Sequence, residues 1–155
     1  KLDALIFLHD DLEILDPFAE RKLLRALNES DDVAIAGVAG GSGRHGLAWW
    51  NHNPVGHQRT NVMNIEFGAK TGDVDLLEGS LIAFSPWAIE NLRFDTQFTG
   101  FHGYDEIGMQ ARNLGKRCMV VDVDTHHHSE MGFKSEASHA EWLNADRLYR
   151  EKWNL

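Results

Sequence analysis

Three groups of residues in this chain are of types that do chemistry together: His9-Asp10-Asp11, Tyr104-Asp105-Glu106 and His126-His127-His128. The first ends the apolar run Leu5-Ile6-Phe7-Leu8, which has the length of a buried strand. Anions carried past such a strand need solvent, a basic partner or a hard cation, because an unpaired buried charge is very costly. Oxygen ligands there suit Mg or Mn, which share their shells with substrate phosphates. A turn in which Asp11 caps backbone amides accounts for the same residues without a metal. The second group opens a helix, where a carboxylate meets the positive end of the helix dipole. Its functional reading is a general base that takes the proton of an incoming hydroxyl. The preceding stretch from Phe98 to Gly103 has aromatics to contact a ring and glycines to allow close approach. In the third group, alternation puts His126 and His128 on one side if the strand before them continues. With carboxylates nearby they are candidates to complete a metal shell, including a mixed histidine and carboxylate zinc site.

Other patterns carry less. No HExxH spacing and no paired CxxC occurs. The run Gly37-Val38-Ala39-Gly40-Gly41-Ser42-Gly43 lacks the GK[ST] ending of a phosphate loop and reads as a flexible connection. Trp49-Trp50 is either a core pair or a platform for ring stacking.

The elements that must position these groups alternate. Leu5 to Leu8 reads as a strand. A helix starts at Asp16-Pro17, with Phe18, Leu23, Leu24 and Leu27 as its apolar face. Asn28 to Asp32 is a polar break, and Val33 to Val38 a second strand. Residues 40–75 are rich in loop signals, with a short strand over Val62 to Phe67. Leu76 to Phe84 is strand-like around Glu78-Gly79-Ser80, Pro86 to Leu92 a short helix, and Phe94 to Tyr104 a loop. A helix over Asp105 to Asn113 ends before Gly115, a C-terminal cap. Arg117 to Val123 is a strand, and Glu136 to Trp153 a helix with Ala140, Leu143 and Leu148 at helical spacing. Strands alternating with helices predict an α/β sheet flanked by helices.

With 155 residues the chain can build one domain with a real core. The formal charge of -9 argues against a nucleic-acid backbone as ligand. No segment has the length of a membrane span. One cysteine, Cys118, suits a reducing compartment, so a cytoplasmic location is expected.

Taken in order, these pieces resemble the sugar-nucleotide-dependent glycosyltransferases of the GT-A fold, in particular the family-2-like group with the streptomycin-biosynthesis-type domain. The resemblance rests on Phe7-Leu8-His9-Asp10-Asp11, Ala36-Gly37-Val38-Ala39-Gly40 with Trp49-Trp50, Leu77 to Phe84, and Arg93-Phe94-Asp95. It continues through Phe101-His102-Gly103-Tyr104-Asp105, Leu114-Gly115-Lys116-Arg117, His126-His127-His128-Ser129 and Lys152-Trp153, and so spans nearly the whole chain. Glu78-Gly79 stands where Asp-Gly is common.

The resemblance implies a GT-A-like mixed sheet and the catalytic portion of a transferase over residues 1–155. Such enzymes have a nucleotide-binding βαβ portion before the DXD-like strand, and that portion is expected to be missing here. A divalent cation, Mn or Mg, would neutralise the diphosphate of a nucleotide-sugar donor. Asp11 matches its ligand, joined by a histidine of the 126–128 group, with His126 and His128 the candidates. His9, Asp10, Trp50, Glu78 and Gly79 fall on the donor side, and Phe101, His102 and Tyr104 on the acceptor side. Asp105 matches the base for an inverting displacement by an acceptor hydroxyl of a carbohydrate or other compound, with Glu106 as the alternative. A metal-dependent hydrolase of phosphoesters or nucleotides would use the same acids and histidines. A non-catalytic carbohydrate- or nucleotide-binding module would need no base.

Overall fold

The structure, a computed structural model, describes residues 2–98, 102–130, 132 and 134–155, and of His102 the backbone alone. The chain runs β1 Leu5–Leu8, β2 Leu12–Ile14, α1 Ala19–Leu27, β3 Val33–Gly37, β4 Ala39–Gly41, a single 3-10 turn Trp49–Asn51, β5 Val55–Arg59 and β6 Asn64–Glu66. It continues with β7 Gly72–Val74, β8 Leu76–Leu77, β9 Leu81–Phe84, α2 Pro86–Asn91, α3 His102–Asn113, β10 Arg117–Val120, β11 Thr125–His127 and α4 Glu136–Trp153.

The architecture is mixed α/β, as the alternation predicts. A five-stranded sheet has the order β1-β9-β3-β10-β7. Its middle strand, β3, pairs in parallel with β10 and antiparallel with β9. Every residue of β3 is buried, which explains its unbroken apolar sequence: helices cover both faces. The period of two in β9 sorts its side chains between them. Leu81 and Ala83 face Leu23 and Leu27 of α1, while Ile82 and Phe84 face Ala88 of α2 and Ile107 and Ala111 of α3. β1 is an edge strand, and its Leu5, Phe7 and Leu8 remain partly exposed. A third cluster packs Trp49, Leu76 and Phe98 against Ala145 and Tyr149 of α4.

Several boundaries differ from expectation for identifiable reasons. Asp16 accepts from the Phe18 amide at 2.8 Å, a turn that holds Pro17 ahead of the helix, which begins at Ala19 with Phe18 as its N-cap. Phe18 is therefore outside the apolar face and 52% exposed. The segment 40–75 is loop-rich, as expected, but carries more strand than the piece over Val62 to Phe67. It supplies β4, β5 and β6, which with β8 form a four-stranded sheet in the order β6-β5-β4-β8, and β7, the edge of the large sheet. The glycine run is not a flexible connection. Gly40 lies within β4, where a Cβ would collide with the Leu76 carbonyl of the paired strand. Leu76 to Phe84 divides between β8 and β9 at the turn Glu78-Gly79-Ser80.

Helix α3 begins three residues before its expected start and ends in a Schellman motif. The Lys116 amide donates to Ala111 O at 2.9 Å and the Gly115 amide to Arg112 O at 3.0 Å, with Gly115 at φ +76. No atom lies within 4 Å of a Cβ built on Gly115, so backbone strain alone penalises a side chain there. We expect Gly115→Ala to cost about 1–2 kcal/mol, the left-handed penalty for an L-residue, in urea unfolding with an unchanged slope. A cost near zero would mean that the motif rearranges.

Candidate metal and catalytic site

The site begins where β1 leaves the large sheet. The His9 amide donates to Ser80 O at 3.0 Å, which extends the β1–β9 pairing by one residue. The chain then turns at once, with the Leu12 amide donating to His9 O at 3.2 Å. Asp10 and Asp11 are the two middle residues of that turn. Beyond it, β2 pairs antiparallel with β11, with Leu12 opposite His127 and Glu13 opposite His126.

His9, Asp11 and His127 come together at this corner. Asp11 Oδ1 lies 3.0 Å from His127 Nε2 and 4.0 Å from His9 Nδ1, and the two ring nitrogens are 3.4 Å apart. All three residues are partly buried. A point equidistant from three atoms so spaced lies about 2 Å from each, the bond length of a transition ion to imidazole or carboxylate. Two imidazoles and one carboxylate form a nitrogen-rich set, which suits Mn or Zn better than Mg. Among the described residues this is the one set of three or more such side chains whose donor atoms all lie within 4.8 Å of one another.

Of the three histidines, His127 is the one that meets Asp11. His126 and His128 do share one side of the ribbon, but it is not the side of Asp11. His126 Nε2 is 3.0 Å from Asn61 Oδ1, and His128 Nε2 is 3.0 Å from Glu13 Oε2. The turn rotates the Asp11 side chain out of the alternation of β2 and toward His127. Had it continued the strand, its side would have been that of Glu13, His126 and His128.

Tyr104 carries the cluster to α3. Its ring centroid is 6.2 Å from that of His9 and 5.6 Å from that of Phe94. It also lies against Gly79, where a Cβ would come within 3.1 Å of the ring. Gly79 thus lets the turn after β8 approach the aromatic residue. Glu78 has a structural task in that turn: its Oε2 accepts from the Ser80 amide at 2.9 Å and from the Ser80 hydroxyl. Asp10 is exposed at the outer corner of its own turn.

The two acids of α3 part company. Asp105 is in the first helical turn, beside Tyr104, and is partly exposed. Glu106 is 0% exposed. Lys152 of α4 places its Nζ 2.8 Å from Glu106 Oε1 and 2.7 Å from Asp95 Oδ2, and Gln110 donates to Glu106 Oε2 at 2.6 Å. Burial opposes the charge on Lys152, but its bonds to Asp95 and Glu106 outweigh this and raise its pKa. The Lys152 contact in turn lowers that of Asp95. A carboxylate sealed in this way is a structural ion pair.

Trp50 is set toward α4: its ring meets Trp142 at 5.9 Å and the buried Trp49 at 5.8 Å. Of the acceptor-side candidates, Phe101 lies outside the described residues, and His102 is placed only as the first residue of α3.

A second polar group went unread in the sequence. His57 of β5 lies between Asp122 Oδ1, at 3.7 Å, and Asp124 Oδ1, at 4.0 Å, with Arg59 and Lys70 balancing the two acids. The spacing Asp122-Val123-Asp124 just before the histidine run was the available signal. No protein-family model and no curated protein matches the chain.

Proposed function

We propose that this chain is the catalytic portion of a GT-A-like, metal-dependent, inverting glycosyltransferase that moves a sugar from a nucleotide-diphosphate donor to an acceptor hydroxyl. The observation that carries the reading is the convergence of His9, Asp11 and His127, with Tyr104 linking them to the start of α3. These three side chains would hold the divalent ion, Mn in preference to Mg. When bound, the ion supplies positive charge that neutralises the donor diphosphate and the negative charge of the departing group. Tyr104, backed by Gly79 and Phe94, forms the wall between the metal end and the acceptor end. Asp105 accepts the acceptor hydroxyl proton. The hydroxyl oxygen then bonds to the anomeric carbon from the face opposite the diphosphate, and the carbon–oxygen bond to phosphate breaks with its electron pair going to phosphate. We place the activity in the cytoplasm, where the lone buried Cys118 stays reduced; no helix among the described residues is long and apolar enough to cross a membrane.

Calorimetric titration with Mn, with and without a nucleoside diphosphate, tests the metal. Asp11→Ala and His127→Ala are each expected to abolish the heat of Mn binding, while His126→Ala keeps it. Identical heats for wild type and Asp11→Ala would sink the assignment.

The donor set also favours a second reading. Two histidines and one carboxylate, leaving open positions on the ion, is a combination used by hydrolytic metal sites. A hydrolase of phosphoesters or nucleotides would use water in place of the acceptor hydroxyl, with Asp105 again taking the proton. Donor hydrolysis that no acceptor diverts into a transfer product would favour it.

A further inference from the structure

Phe7, Phe94 and Tyr104 form an aromatic lane from the edge of the large sheet to the start of α3. β1 is an edge strand, and its period of two sets Leu5 and Phe7 on the face that Ile82 and Phe84 turn toward α2 and α3. The Phe7 ring meets that of the buried Phe84 at 5.4 Å and that of Phe94 at 5.7 Å. Phe94 meets Tyr104 at 5.6 Å, and Tyr104 meets His9 of the metal cluster at 6.2 Å. The three contacts among Phe84, Phe7, Phe94 and Tyr104 have interplanar angles of 88°, 78° and 79°, the edge-to-face arrangement that aromatic pairs prefer. Phe7 is nevertheless 36% and Phe94 44% exposed, and Leu5 on the same face is exposed as well. None of Leu5-Ile6-Phe7-Leu8 is charged, although a free edge is usually guarded by a charge. Arg93, next to Phe94, turns its guanidinium back to donate to the Ile89 and Leu92 carbonyls at 3.1 and 2.6 Å, so its charge is held against α2. Exposed apolar surface that runs into a polar site marks a place for a ligand.

Resting on the transferase reading, we propose that this lane seats the acceptor, and that the acceptor is a phenolic compound whose ring lies against Phe94 and Tyr104. Asp105 follows Tyr104 in the first turn of α3, so a hydroxyl carried by a ring at Tyr104 is presented one residue from the base. The chemistry of that base also favours a phenol. A carboxylate is a weak base. A phenolic hydroxyl, with a pKa of about 10, yields its proton to one more readily than an alkyl hydroxyl, which is nearly as weak an acid as water. The phenolic O–H bond breaks with the proton passing to Asp105. The oxygen bonds to the anomeric carbon, and the diphosphate departs with the electron pair of its bond to that carbon. Phe7 and Leu5 continue the apolar floor away from the hydroxyl, where they meet the far side of the ring and its apolar substituents.

Titration of 2-naphthol with the full chain in metal-free buffer, followed by the anisotropy of naphthol fluorescence, tests this. Saturable binding is expected, and decahydro-2-naphthol, the saturated analogue, should displace the probe only at about tenfold higher concentration or more. Phe94→Leu keeps an apolar side chain but removes the ring, and should weaken binding by about tenfold, the upper range for an aromatic pair. Phe7→Leu should weaken it in the same direction, and supplies the comparison if a thermal melt shows that Phe94→Leu disturbs the fold. Asp11→Ala should leave naphthol binding unchanged, because the lane shares no side chain with the metal ligands. The two readings therefore fail separately. Naphthol binding by a chain that takes up no Mn would sink the metal-dependent transferase and leave an aryl-binding site without an acceptor role. Normal Mn uptake with no saturable naphthol binding, or with wild-type binding in both Leu variants, would overturn the lane. So would equal displacement by decahydro-2-naphthol, which would make the occupant any apolar group rather than an aromatic one.

Discussion

A Lys152→Met chain is expected to lose about 3–5 kcal/mol of stability, the cost of leaving one member of a buried ion pair without its partner. Glu106 is fully buried, and Lys152 is the cation set against it, at 2.8 Å. Gln110 donates one hydrogen bond to Glu106 but brings no charge. In the wild type the sign of the pH dependence follows from Lys152. Its raised pKa means that its contribution is complete below the ordinary lysine value and is lost only as pH climbs past the raised one. Lys152→Met with Glu106→Gln should recover much of the loss, because no unpaired charge remains. Urea unfolding of the wild type and the two variants is the measurement. If Lys152→Met alone costs under about 1 kcal/mol, in the range of an exposed pair, the pair is solvated and Glu106 returns as a candidate base.

The other large effect concerns Asp105. Asp105→Asn is expected to lower sugar transfer by about 10²–10⁴-fold, the range for removing a general base, with little change in Mn binding. Glu106→Gln should instead act mainly on stability, because its carboxylate is enclosed between α3 and α4. If Asp105→Asn retains full transfer while a folded Glu106→Gln loses it, the assignment of the base moves to Glu106.

How much of this could be read in advance depended on whether the information was local. The unbroken apolar run of β3 and the cap at Gly115 are written in neighbouring residues, and both were legible. β2 and β11 have three residues each and exist only as each other's partners, so no periodicity announces them. β4 contains a glycine, Gly40, whose purpose lies in the strand alongside. At the site, Asp11 was legible because two acids after an apolar run are unusual. The choice among His126, His127 and His128 was not, because it depends on how far one tight turn rotates one side chain. The ion pair of Glu106 with Lys152 joins two helices far apart in sequence. Nothing near either residue signals it.

The position of β3 at the middle of its sheet has a consequence for the order of assembly. Its two neighbours, β9 and β10, come from Leu81–Phe84 and Arg117–Val120, long after β3 itself. As the chain emerges during synthesis, α1 can shelter one side of Val33–Gly37, but both hydrogen-bonding edges and the side bearing Ile35 wait for later segments. The parallel pairing of Ile35 with Cys118 closes a long loop before it returns any stabilisation, which places this fold among slow, non-local folders. Substitutions that delay β10 should therefore first raise the yield of aggregated nascent chain, even where the finished protein is as stable as before.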